Sequence, residues 1–573
     1  MHDLAITDAL LADGTGEPTR MADVVIDGDT ITEVTGPGEA PRARRTIDAA
    51  GRLVTPGFVD IHTHYDGQAT WDPEMTPSGW HGVTTVVMGN CGVGFAPAAP
   101  DRRDWLIQLM EGVEDIPGTA LVEGMSWNWE SFPEYLDELD SMHRVMDVAA
   151  QVPHGALRAY VMGDRGATNE AATAEDIAEM SKLTEQALLA GAVGFSTTRT
   201  VLHRAADGQL AAGTTAAAEE LIGIGEALGR AGTGVFEVAS DLFDAEGEFA
   251  WMAEVSRRSG RPVSFGCLQN DFQPEQWRDY LARTDDANAR GARIVPQVAG
   301  RPACLLFGFE SSVHPFITHA AYREIAGLPL PERVERLRSA EVRRAILEEQ
   351  IDRSGFVGMV LAGFDKLFPL GDPPDYEPAP ELSVGAIARR EGRPPEEVAY
   401  DLMLGSEGTE LLYYPLLGYS HGDFGALGEM LDHPGTVLGL GDGGAHCGVI
   451  CDASLPTYML THWTRDRTRG PRLGLAEVVA MQTSRTADLY GFADRGRVAP
   501  GYRADLNVID LDGLSIAAPR MVHDLPAGGR RLVQESRGYV ATICAGTPVR
   551  LDDEPTGARP GRLVRGERSA PPA

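Results

Sequence analysis

The chain has 573 residues, 43% hydrophobic and 7% aromatic side chains, and a formal net charge of −34 at pH 7. Its length exceeds that of an ordinary single domain, and its composition supports a sizeable core. The excess of carboxylates repels phosphate backbones and anionic lipid, which argues against nucleic acid and membrane partners. Six scattered cysteines, no secretion signal and no long apolar run predict a cytoplasmic protein.

Both ends of the chain have the pattern of a half-exposed β-sheet. Residues 1–55 and 496–553 alternate apolar and polar positions in short stretches broken by Gly and Asp. That alternation is typical of β-hairpins. Residues 554–573 are polar and rich in Pro and Gly, so we expect this tail to lie along the surface or to fray.

The region 56–495 has a different pattern, in which short apolar runs alternate with helical stretches. Such runs predict parallel strands buried on both faces. Eight of them in order favour an α/β fold of the closed (β/α)8 TIM-barrel type over an open doubly wound sheet. The predicted strands are 57–61, 83–88, 145–152, 191–197, 232–239, 261–267, 292–298 and 435–441.

The interval between the seventh and eighth predicted strands, about 303–434, is much longer than the others. It contains helical stretches and a Pro-rich loop. Long insertions in a barrel usually lie over the catalytic face, so we interpret this one as a lid. Among the barrel helices, one is predicted over 174–189 with Thr173 as its N-cap.

Polar side chains follow several predicted strands at the ends that meet at the barrel mouth. His62 and His64 follow the first strand in PGFVDIHTHYDG, and residues two apart on an extended segment point to the same side. Asp442 follows the eighth strand in GLGDGGAH, beside the first strand of a closed barrel. Cys91 follows the second strand in VVMGNCGVG. Taken alone the histidines could be structural, but together these residues predict a Zn²⁺ site with an open position for water.

Five motifs spread over nearly the whole chain occur in a specific order. They are TPGFVDIHTHYDG, GVTTVVMGNCGVGFAP, SWNWESFPEYLDEL, GLGDGGAH and RGRVAPGYRADLNVID. In this order they resemble the amidohydrolase superfamily and, within it, the D-aminoacylase (N-acyl-D-amino-acid deacylase) branch. The resemblance implies a metal-dependent barrel, a small β-sandwich composed of both chain ends, and hydrolysis of an amide by metal-activated water.

The resemblance also implies roles for individual residues. His62 and His64 match the first-strand metal ligands, and Cys91 falls where this branch has a metal-bridging thiolate. Asp442 matches the aspartate that serves as general base and can touch the metal.

One departure from the branch concerns the fifth and sixth strands, which normally each end in a histidine. Here these places read GVFEVASD and VSFGCLQN. Glu237 or Cys267 could replace the missing ligands, since carboxylate and thiolate both bind Zn²⁺, or both could simply pack. We therefore expect one Zn²⁺ per chain.

An N-acyl amino acid carries a carboxylate that the protein must bind. Arg199 and His203, in STTRTVLHR after the fourth strand, are candidates because Arg binds carboxylates through two hydrogen bonds. His81, His154 and His446 lie near predicted strand ends, where each could orient a metal ligand or belong to the core.

The expected function is hydrolysis of N-acyl-D-amino acids. A hydrolase of cyclic amides or of a peptide-derived metabolite, from the same superfamily, would share these motifs. A degenerate barrel acting as a binding protein is the third reading, which the missing histidines leave open. The expected partner is a small-molecule amide, and assembly into a homo-oligomer stays open.

Overall fold

Eight parallel strands form the centre of the structure, a computed structural model in which residues 1–571 are described. They pair in chain order, and each overlaps a predicted strand. The strands are Phe58–Asp60, Val83–Met88, Asp147–Ala150 continuing as Val152–Pro153, Gly194–Arg199, Val235–Ser240, Val263–Gly266, Ile294–Val298 and Val437–Leu438.

Backbone contacts between the first and eighth strands close the barrel. A parallel bridge joins Thr63 to Gly443, and the backbone N–H of Asp442 donates to the carbonyl of His62 at 2.9 Å. The prediction of a closed (β/α)8 barrel is therefore confirmed, and the open sheet is excluded.

Helices cover the outside of the barrel. The predicted helix over 174–189 is observed as Ala174–Ala190, and Thr173 caps it by a reciprocal pair of hydrogen bonds with Asp176. A π-helical stretch runs over Met459–Asp466. The α-helices of this region are Arg103–Glu114, Gly118–Gly124, Phe132–Ser141, His154–Met162, Asp164–Ala167, Ala174–Ala190, Ala218–Ala231, Ala245–Ser259, Gln276–Ala289, Leu455–Tyr458, Leu475–Gln482 and Ser484–Leu489.

Both ends of the chain contribute to one nine-stranded sheet. The two halves join where Leu53–Pro56 pairs antiparallel with Leu506–Ile509. Apolar residues of both halves, such as Val54 and Val508, share one buried cluster. The finer prediction of a β-sandwich stays a prediction. The strands are His2–Leu11, Arg20–Asp27, Thr30–Thr35, Ala43–Asp48, Leu53–Pro56, Leu506–Ile509, Tyr539–Cys544, Thr547–Leu551 and Glu554–Pro555.

Two pairs of shorter strands lie in the C-terminal region outside this sheet. They are Ser515–Ile516 with Ser536–Arg537, and Arg520–Leu525 with Gly529–Val533.

The segment between the seventh and eighth barrel strands has a hydrophobic cluster of its own, which includes Phe309, Phe316 and Tyr400. Its strands Ala303–Phe307 and Phe368–Pro369 both pair antiparallel with Leu412–Leu417. Its helices are Ala320–Arg323, Leu330–Arg338, Ala340–Glu348, Gly355–Leu361, Val384–Glu391, Pro395–Met403 and Gly425–Asp432.

The C-terminal tail runs along the barrel instead of fraying. The backbone N–H of Val564 donates to the carbonyl of Val148 at 2.7 Å, and Gly561 forms a bridge with Arg144. Val564 is buried among barrel-strand residues, which holds this part of the tail in place. Residues 572–573 of the predicted tail lie outside the described residues. None of the helices between residues 1 and 571 has the length and hydrophobicity of a membrane span.

Candidate metal centre

His62 and His64 lie side by side at the end of the first barrel strand, with ring centroids 5.5 Å apart. Both are buried. Nε2 of His62 is 3.4 Å from Sγ of Cys91. One ligand atom from each of these three residues lies within 4.8 Å of the other two, a separation that a single metal ion can bridge.

Asp442 reaches the same place from the eighth strand. Its Oδ1 lies 3.5 Å from Nε2 of His62 and 3.6 Å from Nε2 of His64. The structure thus brings together the four residues that the sequence predicts to meet, and their roles stay predictions.

Three residues at this centre have a left-handed backbone conformation, which is uncommon for residues other than glycine. The φ angles are 56° at Cys91, 45° at Asp442 and 50° at His446. Gly92, next to Cys91, is tightly packed, because an added Cβ would lie 2.8 Å from the backbone nitrogen of Thr198. Strained backbone of this kind is typical of functional sites.

The protonation of His62 suits a metal ligand. Burial lowers the pKa of His62 to about 4, so its imidazole is neutral at pH 7. Gln297 Oε1 lies 3.0 Å from Nδ1 of His62, while Nε2 of Gln297 donates to Ser264. This acceptor places the proton of His62 on Nδ1, which leaves the lone pair of Nε2 directed towards Cys91 and Asp442.

The charges around the centre favour a cation. Burial, and then the carboxylates of Glu237 and Glu114, raise the pKa of the Cys91 thiol well above its usual range. Burial opposes ionisation of Asp442, but His64, His62 and the other nearby imidazole hold the pKa of Asp442 below its usual range. A thiolate at Cys91 therefore requires a positive charge beside it.

His64 supplies the test of whether the residues fit a metal. Both of its ring nitrogens are buried and have no hydrogen-bond partner among residues 1–571, and the same is true of both carboxylate oxygens of Glu114. Buried polar atoms are almost always partnered in native proteins. Together with the neutral imidazole and the thiol nearby, these atoms fit a site that binds a metal ion.

Glu114 is a residue of the centre that the sequence reasoning missed. It is the last residue of the Arg103–Glu114 helix and is followed by Asp115, whose φ is 50°. Acidic side chains at a helix C-terminus oppose the helix dipole. Two successive acidic residues at the end of a helix are therefore unfavourable locally, and such unfavourable positions are often functional.

The two candidate ligands for a second metal lie in different places in the structure. Glu237 Oε2 accepts a hydrogen bond from the backbone N–H of Cys91 at 3.0 Å, so it lies beside the centre. Burial raises the pKa of Glu237 to about 8. Sγ of Cys267 instead lies 3.9 Å from the sulfur of Met430, on a helix of the 303–434 segment. The structure therefore does not bring Cys267 to the histidine pair.

Arg199 is already engaged by other groups. Its Nε donates to both oxygens of Glu248, at 2.6 and 2.9 Å, and its Nη1 donates to the carbonyl of Ala216 at 2.7 Å. Only Nη2 makes none of these hydrogen bonds, so Arg199 has few free donors for the two hydrogen bonds that we expect it to make to a carboxylate. His203 lies near the centre, with Nδ1 2.9 Å from Oγ1 of Thr198. Burial lowers the pKa of His203 to about 3, and the other imidazoles of the centre contribute.

The three histidines near predicted strand ends have different surroundings. Nδ1 and Nε2 of His81 meet Thr457 and the carbonyl of Gln534, at 2.8 and 2.9 Å. His81 precedes the second strand, so it lies at the opposite end of the barrel from the histidine pair. It has no place in orienting the ligands, and we correct that candidate.

His154 and His446 also differ. Nδ1 and Nε2 of His154 meet Thr197 and Glu220, at 2.8 and 2.9 Å. His446 lies beside His64, with ring centroids 6.5 Å apart, and its Nε2 is 3.4 Å from Oε2 of Glu114. Of the three, His446 is the one in contact with the centre.

Comparisons with known proteins identify relatives of this chain. The model of the amidohydrolase family (Amidohydro_3) matches residues 45–550. D-aminoacylase from Alcaligenes xylosoxydans xylosoxydans is 38% identical over 195 residues, which span 34% of this chain and 37% of that relative. The sequence match therefore covers little more than a third of the relative.

Solved structures extend the similarity over the whole length. A structure of D-aminoacylase, reported with a binuclear metal centre, one-metal activation and second-metal attenuation, matches 99% of this chain and 100% of that chain, with a TM-score of 0.65 and 25% identity. N-acyl-D-glutamate deacylase from Bordetella bronchiseptica, complexed with zinc and a phosphonate inhibitor, matches 98% and 99%, with a TM-score of 0.64 and 25% identity. This chain belongs to the amidohydrolase family, in its D-aminoacylase branch.

Proposed function

We propose that the protein is a metal-dependent amide hydrolase that removes the acyl group from N-acyl-D-amino acids. The observation that carries this proposal is the meeting of His62, His64 and Cys91 within 4.8 Å of one another, with Asp442 within 3.6 Å of both histidines, from three separate strands. The relatives support the substrate class, since they include D-aminoacylase, N-acyl-D-aspartate deacylase and N-acyl-D-glutamate deacylase.

His62, His64 and Cys91 would hold the metal, which when bound supplies a Lewis acid that polarises an amide carbonyl and acidifies water. Asp442 accepts the proton of the attacking water and returns it to the leaving amine. The C–N bond breaks as a C–O bond forms, which gives a carboxylate and an amine. Burial opposes ionisation of Asp442, but His64 and His62 hold its pKa below its usual range, so its carboxylate is ionised before the proton arrives.

We expect one Zn²⁺ per chain. Within residues 1–571, His62, His64 and Cys91 are the group of three ligand-bearing residues that meet within 4.8 Å. Glu237 lies beside Cys91 and is the better placed of the two proposed substitutes for a second site.

The substrate carboxylate is assigned to Arg199 and His203. Arg199 is the last residue of the fourth strand, and His203 follows it and lies near the imidazoles of the centre. Replacing Arg199 by Ala should raise KM several-fold with little change in kcat, because binding away from the reacting atoms is lost. Steady-state kinetics measure this, and an unchanged KM would remove Arg199 from the site.

We assign the segment 303–434 as a lid. We also keep the expected domain limits near residues 55, 495 and 553. Two backbone hydrogen bonds support this role: Leu306 donates to Val449 at 2.7 Å and Ser312 donates to Gly448 at 2.9 Å. Both acceptors lie in the loop that carries Asp442 and His446, so the segment packs against the barrel mouth. The two chain ends would form the β-sandwich that the resemblance implies.

The proposed function is tested with pairs of N-acetyl-D- and N-acetyl-L-amino acids, assayed after chelation and again after addition of Zn²⁺. We expect hydrolysis of the D substrates that is lost on chelation and restored by Zn²⁺, with close to one metal per chain by elemental analysis. A His62→Asn variant should lose both metal and activity. His421→Asn, at a half-exposed histidine paired with Glu275, is the matched control and should keep both.

Three outcomes would contradict parts of the proposal. Hydrolysis of hydantoins but not of N-acyl amino acids would identify a cyclic-amide hydrolase. Substrate binding without turnover would identify a degenerate barrel. Two tightly held metals per chain would refute the stoichiometry.

A further inference from the structure

Glu114 lies between two imidazoles of the centre. Its Oε1 is 3.4 Å from Nδ1 of His64, and its Oε2 is 3.4 Å from Nε2 of His446. Its side chain is 1% exposed, and both oxygens lack a hydrogen-bond partner among residues 1–571. A buried carboxylate in this state is costly unless it has another task.

The neighbouring histidine shows what that task is. Nδ1 of His62 faces an acceptor on Gln297 at 3.0 Å, while Nε2 of His62 faces Cys91 and Asp442. His64 repeats this arrangement, since its Nδ1 faces Glu114 and its Nε2 faces Asp442 at 3.6 Å. Each histidine therefore faces a side-chain oxygen with one nitrogen and the centre with the other.

We propose that Glu114 is a positioning residue of the metal centre. When the metal is bound, Glu114 accepts a hydrogen bond from Nδ1 of His64, which fixes the ring with its Nε2 lone pair towards the metal, and it holds His446 beside that ring. A carboxylate behind a ligating histidine also makes the imidazole a stronger donor. This inference rests on the proposed metal site and adds a residue that the sequence motifs do not indicate.

The backbone holds Glu114 in place for this role. The carbonyl of Glu114 accepts a hydrogen bond from the backbone N–H of His446. The next residue, Asp115, accepts from the backbone N–H of Gly448 at 2.9 Å and from the hydroxyl of Ser312 at 2.8 Å. The end of this helix is thus fixed to the loop after the eighth strand and to the 303–434 segment.

The test compares two variants at this position and one control variant with the wild-type protein. Glu114→Leu removes the acceptor and keeps the volume, Glu114→Gln keeps an acceptor oxygen as Gln297 does for His62, and Glu111→Gln is the control, one helical turn away and exposed. Zn²⁺ affinity is measured by competition with a chromophoric chelator. The visible spectrum of the Co²⁺ form reports the ligand geometry, and thermal unfolding of the metal-free protein reports stability.

We expect Glu114→Leu to weaken Zn²⁺ binding by about 10–100-fold and to change the Co²⁺ spectrum. Metal-free Glu114→Leu should be no less stable than the wild type, because the variant removes an unpartnered buried carboxylate. Glu114→Gln should recover most of the affinity, and Glu111→Gln should match the wild type.

The outcomes separate this inference from the proposed function. If the wild type binds Zn²⁺ and Glu114→Leu binds it equally well, the role of Glu114 is refuted while the metal site stands. If Glu114→Leu weakens Zn²⁺ binding and also destabilises the metal-free protein, Glu114 has a structural role instead. If the wild type binds no metal, the proposed function fails and the inference fails with it.

Discussion

Two groups of histidine and carboxylate side chains lie in this barrel, all buried except the partly exposed His446, and they differ in how their polar atoms are used. The first, which we call the mouth cluster, consists of His64, Glu114 and His446. The second, the His154 cluster, consists of His154, Arg158 and Glu220.

In the His154 cluster, the side chains form hydrogen bonds with one another. Nε2 of His154 is 2.9 Å from Oε1 of Glu220, and a guanidinium nitrogen of Arg158 donates to the same oxygen. The other ring nitrogen of His154 is 2.8 Å from Oγ1 of Thr197. In the mouth cluster, by contrast, both nitrogens of His64 and both oxygens of Glu114 lack such bonds among residues 1–571.

This difference separates side chains that hold the fold from side chains kept ready for a ligand. Residue type does not distinguish them, because both clusters contain buried histidine and glutamate. Hydrogen-bond satisfaction does, since a satisfied buried network specifies and rigidifies a core, whereas an unsatisfied one in a functional site awaits a partner.

The largest effect should come from replacing Asp442 by Asn. This change removes the proton acceptor and keeps the shape, so turnover should fall by about 10²–10⁴-fold. Thermal unfolding should change little. Hydrolysis of an N-acetyl-D-amino acid and the melting temperature measure the two effects, and full activity in this variant would end the proposed mechanism.

The opposite result is expected in the His154 cluster. Glu220→Gln leaves the buried guanidinium of Arg158 without its countercharge, which should lower the free energy of unfolding by about 3–5 kcal/mol. Folded molecules should keep their metal and their kcat. Denaturant unfolding and metal analysis test this, and lost metal with unchanged stability would reverse the distinction between the clusters.

A weaker effect is expected from Gln297→Leu. Without the acceptor at Nδ1, His62 is free to turn its ring or change tautomer, so Zn²⁺ affinity should fall by about tenfold or more. Chelator competition measures the affinity. An affinity equal to that of the wild type would show that packing alone orients His62.

The smallest effect concerns acidification of the His154 cluster. Burial lowers the pKa of His154 below its ordinary value of 6.5, so the unfolded chain binds a proton first and stability falls as the pH drops below about 6.5. Burial opposes ionisation of Glu220, but His154 and Arg158 lower its pKa below 4.5, and its contribution is lost at still lower pH. Melting temperatures on either side of pH 6.5 should show a smaller decrease in His154→Gln than in the wild type.

The barrel and the four residues expected to meet at its mouth could be predicted because periodicity and strand order determine them. Buried parallel strands give continuous apolar runs, and residues at their carboxyl ends converge. His62 and His64 share a side by their spacing alone. Asp442 joins them once the first and eighth strands are known to be neighbours.

The remaining site residues depend on distances that the sequence does not contain. Glu114 comes from the end of a helix, and only packing shows that it meets His64. The ion pair of Arg199 with Glu248 is also visible only in the structure, and it limits which nitrogens of Arg199 remain for a substrate carboxylate. His81 is different, because the predicted strand 83–88 already follows it, and this order alone puts His81 at the other end of the barrel.

The joining of both chain ends in one sheet has a consequence for biosynthesis. The strand Leu53–Pro56 leads directly to His62 and His64, yet one of its partners, Leu506–Ile509, emerges from the ribosome only after all eight barrel strands. The N-terminal part of the sheet therefore waits, incomplete, while the barrel is made. Nascent chains and C-terminal truncations that lack residues 506–509 should be dependent on chaperones and unable to retain zinc.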